Sequence, residues 1–251
     1  MTFWNISEIR YQSRIIKYFY STAVQQGISC SGPPIIIPAI QTITGTTLLT
    51  DVNQNIGDLL LPSNLSATQP QWVRITGNLI IDEDYTFGTF SNLQNSNIIM
   101  GDDARITVNN GVTFNLRSAY IHGCEKLWDR IDVTLGGQIN MQRNLIEDSR
   151  NGIQLDNSEV GDQVIVNNNF KNNAKGVVIP SKSTPRIVKN VILGNEFVQK
   201  SQLLETVNAT IGIEVNDMSN SLIQATILVA PAFAALNKFQ NNTNGIQANK
   251  L

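Results

Sequence analysis

One pattern recurs along the second half of this 251-residue chain: an asparagine is followed, usually eight positions later, by a glycine that begins a short apolar stretch. The copies are Asn144 with Gly152, Asn168 with Gly176, Asn195 with Gly212, and Asn237 with Gly245. The first two copies are 24 residues apart, and in the third the glycine comes late, after an insertion. Repeat periods of about 20–50 residues are typical of solenoids, propellers and repeat arrays.

Within each period, apolar and polar residues alternate, as in Ile153-Gln154-Leu155 and Phe114-Asn115-Leu116. A period of two predicts strands of a few residues. A propeller blade needs about 40–50 residues, whereas three short strands fit a shorter repeat. The sequence therefore predicts an all-β parallel β-helix, a solenoid of about seven coils over residues 72–251.

The composition agrees with this fold, since the chain has 30 Asn and 31 Ile. Coil corners often require a left-handed backbone, which Gly adopts freely and Asn at small cost. Asn side chains at equivalent corners are expected to stack into an amide ladder, and Ile side chains to stack inside the coils.

Residues 1–71 are predicted to form an N-terminal segment, resembling a cap or leader, with a helix over 7–26 followed by the first extended pieces. This short helix is a candidate cap for the solenoid, because open strand edges need covering. The C-terminal end offers no cap of its own, so we expect the chain to be part of a longer one or to be covered by another domain or subunit. For Cys30 and Cys124, two unpaired thiols are the preferred interpretation, with a disulfide as the alternative in a secreted protein.

Three consecutive segments carry a family resemblance: Cys124–Val133, with its Trp128-Asp129-Arg130-Ile131 stretch, then Gly136–Met141, then Ile146–Ser149. Together they resemble the right-handed β-helix modules of large secreted surface proteins of Bacteroidetes-type bacteria. The resemblance implies a right-handed winding and secretion or display at the cell surface. It also implies a role in adhesion or in polysaccharide-related proteins, and it supplies no catalytic set.

Charge and composition exclude several classes of function. With 18 basic and 20 acidic residues, the net charge of −2 gives no reason to expect a nucleic-acid partner. One His and two Cys are too few ligands for a Cys/His zinc site, and we expect no metal. The longest apolar run, 227–236, is too short to cross a bilayer, so no membrane-spanning segment is expected.

Acidic clusters at 82–84 and at Asp102-Asp103 are weak candidates for binding Ca²⁺ against an acidic sugar, with Arg105 as a nearby base. Solvated turns are the preferred interpretation of both clusters, so no cofactor is expected. Asp148 aligns with Asn172 and Asn241 and is therefore expected at a corner rather than in a catalytic group.

Two further residues are candidates for ligand binding. His122 is the only imidazole and a potential general base, although an ordinary strand residue is the preferred interpretation. Trp128 has a flat apolar face that suits stacking on a sugar ring, although an aromatic residue in the core or at a coil edge is the preferred interpretation.

We expect a non-enzymatic, secreted or cell-surface module that presents an elongated surface to a polysaccharide or another surface component. The alternatives are a polysaccharide lyase or glycoside hydrolase on the same fold, and a trimeric protein like a tail fibre. The insertion between Phe197 and Gly212 is a further lead, because loops leaving a solenoid commonly build its binding face.

Overall fold

The structure is a computed structural model that describes residues 41–56, 71–88, 96–155, 163–181, 186–188, 190–200, 203–216, 221–223 and 237–249. Within these ranges the protein is almost entirely β-structure, with a single helix, α1, at Leu49–Ile56. The chain divides into two compact units, Met1–Ile37 and Pro38–Leu251, of which only the second contains described residues.

The strands form three long parallel sheets. Sheet A consists of β1 (Gln41–Ile43), β3 (Gln71–Ile75), β6 (Ser96–Met100), β9 (Tyr120–His122), β12 (Leu145–Glu147), β15 (Asn169–Lys171), β19 (Glu196–Val198) and β22 (Lys238–Gln240). Sheet B consists of β2 (Thr46–Leu48), β4 (Asn78–Ile81), β7 (Arg105–Val108), β10 (Trp128–Val133), β13 (Ser149–Leu155), β16 (Lys175–Ile179), β20 (Ile211–Asn216) and β23 (Asn244–Asn249). Sheet C consists of β5 (Tyr85–Phe87), β8 (Thr113–Arg117), β11 (Gln138–Gln142), β14 (Gln163–Val166) and β18 (Asn190–Leu193). A separate pair is formed by β17 (Arg186–Val188) and β21 (Ser221–Ile223).

The chain visits sheets A, B and C in turn, and each strand pairs in parallel with its equivalent in the neighbouring coil. This arrangement confirms the predicted parallel β-solenoid. Sheets A and B begin at β1 and β2, so the solenoid includes residues upstream of the predicted boundary at residue 72. The right-handed winding and the count of about seven coils stay predictions, since several ranges after residue 181 lie outside the described residues.

Equivalent side chains stack along the solenoid axis, as the repeat requires. In sheet A, Ile121 pairs with Ile146, which pairs with Phe170, and Phe197 and Phe239 continue the column. The rings of Phe170 and Phe197 are stacked with centroids 4.9 Å apart, and those of Phe197 and Phe239 with centroids 5.1 Å apart. These columns of Ile, Val and Phe form one continuous core.

The repeat asparagines form a buried amide ladder. Nδ2 of Asn144 donates to Oδ1 of Asn168 over 2.8 Å, and Nδ2 of Asn168 donates to Oδ1 of Asn195 over 3.0 Å. Nδ2 of Asn195 donates in turn to Oδ1 of Asn237 over 3.2 Å. Each of these Oδ1 atoms also accepts the backbone N–H of the preceding asparagine over 2.9 Å. The ladder thus satisfies backbone groups at a corner that no strand reaches.

The repeat glycines have a different role from the one that corner geometry suggests. None of Gly152, Gly176, Gly212 and Gly245 is among the described residues with positive φ. Instead, a Cβ on Gly152, Gly176 or Gly212 would lie within 3.0 Å of a phenylalanine ring in the next coil. Glycine is therefore needed at these positions to make room for the stacked aromatic column.

The left-handed corners are formed by other residues. Asp148, Asn172 and Asn241 occupy equivalent corners, with φ of 61°, 53° and 59°. The expectation that Asp148 is a corner residue is confirmed. Asn and Asp tolerate this conformation because their short side chains bond to the local backbone.

Several expectations for the N-terminal region fall outside the described residues. The predicted capping helix at 7–26 and Cys30 both lie there. Helix α1, which the sequence did not predict, buries Leu49 and Val52 in the core.

Cys124 is disulfide-bonded, so the preference for unpaired thiols is wrong. No helix in the described part of the chain is long and apolar enough to span a membrane.

Candidate functional site

The predicted ligand-binding residues are spread over sheets A and B and do not form one site. Asp102, Asp103 and Arg105 lie at the corner before β7 and at its start. His122 ends β9 in sheet A, and Trp128 begins β10 in sheet B.

The two corner carboxylates are each paired with a cation from a later coil. Oδ2 of Asp102 lies 3.5 Å from Nζ of Lys126, and Asp103 forms an ion pair with Arg150. Across the described residues, no group of three His, Cys, Asp or Glu side chains could hold a metal ion. In the other acidic cluster, Asp82 accepts hydrogen bonds from the backbone N–H and hydroxyl of Thr50 in α1. A carboxylate at a helix N-terminus satisfies free N–H groups, so Asp82 has a structural role.

Arg105 belongs to a four-residue network of charges on the outer face of sheet B. Its Nε donates to Oδ2 of Asp129 over 2.8 Å, and its Nη1 lies 3.8 Å from Oδ2 of Asp132. Nη1 of Arg130 donates to Oδ1 of Asp129 over 3.0 Å, and Nη2 of Arg130 donates to Oδ2 of Asp132 over 3.4 Å. Each carboxylate is shared by two guanidinium groups, so the four side chains hold one another in place.

Separate ion pairs lie on neighbouring strands of the same sheet. Arg150 on β13 donates from Nη2 to Oε1 of Glu205 over 3.2 Å, which brings the insertion after β19 over this face. On the next strands, Lys175 pairs with Glu214, and hydrogen bonds from Lys175 and Asn216 outweigh burial and lower the pKa of Glu214. We name these side chains the sheet B polar face: Arg105, Asp129, Arg130, Asp132, Arg150, Lys175, Glu205 and Glu214.

The sheet B polar face is long and narrow. Its cations come from four adjacent strands, β7, β10, β13 and β16, and Glu214 lies on the next, β20. Because neighbouring strands are about 4.8 Å apart, these five strands extend across roughly 19 Å. Apart from Glu214, which is buried, the side chains are partly exposed, and their four positive and four negative formal charges cancel. The face therefore offers many hydrogen-bond donors and acceptors with little net charge.

Trp128 does not lie on an accessible surface. Its side chain is 0% exposed, and its Nε1 donates to the backbone carbonyl of Glu147 over 2.8 Å. The indole is enclosed in the core, as the preferred interpretation expects, and it has no exposed face on which a sugar ring could stack. An indole that packs inside and satisfies its N–H with a backbone carbonyl has a structural role.

His122 is buried beside a cluster of polar side chains on the outer face of sheet A. Its ring is stacked on Tyr120 with centroids 4.4 Å apart, and its Nδ1 is 2.9 Å from the carbonyl oxygen of Gly123. Burial lowers the pKa of His122. Its Nε2 makes no hydrogen bond to any part of the chain that the structure describes.

Glu147 is the centre of that cluster, which the sequence did not single out. Its carboxylate accepts hydrogen bonds from the Tyr120 hydroxyl over 3.0 Å and from Nδ2 of Asn172 over 3.2 Å, and it pairs with Lys171. Burial, together with the Glu147 charge, raises the pKa of neighbouring Asp148 to about 7. The cluster therefore contains one carboxyl group that titrates near neutral pH.

Most members of the sheet B polar face were missed at the sequence level, although one signal was present. Arg105 and Arg130 are one repeat apart and are paired in the parallel register. Arg130 and Asp132 then alternate along a strand, which puts charges on one side of the sheet. The repeat spacing and the alternation along the strand together predict a row of charged residues on the outside of sheet B, but they do not predict which of these residues form ion pairs.

Sheet topology and the stacked core define this chain as a β-solenoid protein with a charged outer face. Comparison with protein-family models, with curated proteins and with solved structures finds no match to it. The case for a function therefore depends on the site itself.

Proposed function

We propose that this chain is a non-enzymatic module of a secreted or cell-surface protein that binds an extended polysaccharide along the sheet B polar face. The observation that carries the proposal is the row of paired charges across five adjacent strands. The resemblance of the sequence to β-helix modules of secreted Bacteroidetes-type proteins supports secretion and a role in adhesion.

The chemistry of the row favours neutral sugars. Guanidinium and carboxylate groups form directional hydrogen bonds in pairs, which match neighbouring hydroxyl groups on a sugar. Since the cations are already paired with Asp129, Asp132 and Glu214, an acidic polymer gains little net attraction. Many shallow contacts along a straight strip suit a polymer better than a small molecule, which requires an enclosing pocket.

The enzymatic alternative, a polysaccharide lyase or glycoside hydrolase, is supported by one observation. Asp148 has a pKa of about 7, which suits a general acid or base. Its neighbours Glu147 and His122 are 6% and 4% exposed, so a polymer has little access to them. Binding on the polar face is therefore the better-supported function.

The tail-fibre alternative requires a long apolar stripe on the outside of the solenoid. On sheet C, the outward positions of β11 are polar, Asn140 and Gln142, and those of β14 are Val164 and Val166. Among the described strands of sheet C, apolar outward positions are confined to β14 and to β18, where Val191 and Leu193 pair with Val164 and Val166, and this patch is short for a trimer interface.

Affinity electrophoresis through gels containing neutral or acidic polysaccharides tests the proposal. The double variant R130Q/D132N keeps polar side chains at both positions but removes the central charges of the face. We expect wild-type protein to be retarded by at least one neutral polysaccharide and the double variant to migrate freely. The control N140S/Q142S alters the outer face of sheet C and should be retarded like wild type.

Two results would overturn the proposal. One is retardation that R130Q/D132N does not change, which would place binding elsewhere. The other is release of reducing ends or unsaturated products by wild-type protein, which would establish an enzyme. In that case D148N identifies whether Asp148 takes part.

A further inference from the structure

Arg150 lies at the centre of the sheet B polar face and is its most accessible cation. Its strand, β13, is the third of the five adjacent strands that form the face. The side chain of Arg150 is 40% exposed, which is the largest exposed fraction among the four cations of the face. A polymer that lies along the face therefore passes over this guanidinium group.

Two carboxylates from outside the strands of sheet B occupy this guanidinium group. Glu205 accepts from Nη2 of Arg150 with both of its oxygens, over 3.2 Å and 3.3 Å, and from Nε over 3.4 Å. Asp103 forms an ion pair with Nη1. All three nitrogens of the guanidinium group donate to these carboxylates, so an anionic ligand must displace one of them to pair with Arg150.

The two carboxylates reach Arg150 from opposite directions along the solenoid. Asp103 lies at the corner that leads into β7, two strands before β13 in sheet B. Glu205 lies on the insertion that leads into β20, two strands after β13. Each carboxylate thus extends across one intervening coil, and neither pairing belongs to the regular repeat.

Hydrogen bonds to neighbouring coils anchor the insertion on both sides of Glu205. Before it, the backbone N–H of Lys200 donates to Oδ1 of Asn172 over 2.9 Å. After it, the backbone N–H of Thr210 donates to Oγ1 of Thr243 over 3.1 Å. These anchors place Glu205 beside the polar face as part of the fold.

The two carboxylates give the centre of the face an excess of negative charge. In the network of Arg105 and Arg130, two cations are matched by two carboxylates, and Lys175 is matched by Glu214. At Arg150, one positive charge meets two negative charges. A polymer that carries carboxylates would meet like charge at this point, and like-charge contacts weaken binding and suppress wrong partners.

We propose that Asp103 and Glu205 make the sheet B polar face reject acidic polysaccharides. This inference rests on the proposed function and names the two side chains that restrict the ligand to uncharged polymers. They act by occupying Arg150 and by repelling carboxylate groups on the polymer. One of them comes from an insertion that the neighbouring coils lack, so the specificity of the face is set outside its strands.

The double variant D103N/E205Q removes both charges with little change in shape. Asp103 has a φ of 58°, a left-handed conformation that Asn also adopts at small cost. Gln is close to Glu in size and keeps one oxygen acceptor for Arg150. The variant should therefore fold, with an unfolding temperature within about 5 °C of wild type.

Polygalacturonate and its methyl ester are matched probes, because they share one backbone and differ in charge. Affinity electrophoresis compares each mobility with that in a gel without polymer, which corrects for the different net charges of the proteins. We expect wild type to migrate freely through polygalacturonate and D103N/E205Q to bind it at least tenfold more tightly. High salt should abolish this binding, since it is electrostatic. The methyl ester should not distinguish the two proteins.

Three further variants show where the gain arises. E205Q alone should bind polygalacturonate at least threefold more tightly than wild type. D51N/E196Q removes two carboxylates away from the face, in α1 and on sheet A, and should behave like wild type. D103N/R150Q/E205Q lacks the guanidinium group that the double variant frees, so it should migrate freely.

Four outcomes would overturn the proposal. They are equal binding of polygalacturonate by wild type and D103N/E205Q, free migration of both D103N/E205Q and E205Q, an equal gain in D51N/E196Q, and binding that persists in D103N/R150Q/E205Q. Failure of the proposed function gives a different result, because wild type would then bind no neutral polysaccharide. A gain for D103N/E205Q would still establish that the two carboxylates block Arg150.

Discussion

Removing one amide from the asparagine ladder should destabilise the whole solenoid. In N168A, the backbone N–H of Asn144 loses its acceptor, and the carbonyl oxygen of Met141 loses its side-chain donor. The side chain of Asn168 is 2% exposed, so water does not replace these partners. Each buried polar group left without a partner costs about 1–3 kcal/mol, so we expect a loss of roughly 2–6 kcal/mol in the free energy of unfolding.

Urea and thermal unfolding, followed by circular dichroism with the disulfide intact, measure this loss. For a domain of this size, a loss of about 4 kcal/mol lowers the unfolding temperature by roughly 8–16 °C. The control N169A removes only one 3.5 Å contact to Glu196 and should change stability by less than about 0.5 kcal/mol. If N168A and N169A unfold alike, the ladder contributes nothing to stability, and the reasoning is refuted.

Two further variants test other parts of the coil. Because the pKa of Asp148 rises on folding from 3.8 to about 7, this residue binds its proton more tightly in the folded state, and its contribution to stability falls as pH rises from about 4 to 7. D148N introduces the residue found at the equivalent corners 172 and 241. It should therefore be more stable than wild type by about 4 kcal/mol at pH 8 and equal to it below pH 4, as denaturation at each pH would show. A constant difference would contradict this. G176A places a methyl group 2.5 Å from the Phe197 ring and 2.6 Å from the Gly212 carbonyl oxygen. Because these contacts are too close, the variant should unfold at a temperature lower by roughly 5 °C or more. If it unfolds at the wild-type temperature, the aromatic column can shift to make room and the reasoning is contradicted.

The fold was predictable because its cause is local and repeated. A spacing of 24 residues between Asn144 and Asn168, with alternating apolar residues in between, is compatible with few architectures. The stacking of asparagine on asparagine follows from the period alone, since equivalent residues of successive coils must meet. The role of the repeat glycines was not predictable, because it depends on a ring from the next coil.

The candidate site was predicted only in part, and the reasons are geometric. Asp103 and Arg105 are close in sequence, but they pair with Arg150 and Asp129 rather than with each other. The flat ring of Trp128 made it a candidate for stacking on a sugar, but the ring is fully buried in the core.

The amino-acid sequence by itself determined the period, the short strands and the column of like residues, because each depends on local alternation and on a constant coil length. Tertiary structure alone decided which charges meet. Arg105 and Asp129 are 24 residues apart and Arg150 and Glu205 are 55 apart. Their contacts depend on the parallel register of β7 and β10 and on the path of the insertion after β19. These features arise only when the coils pack, since an ion pair between strands requires positions that no single strand defines.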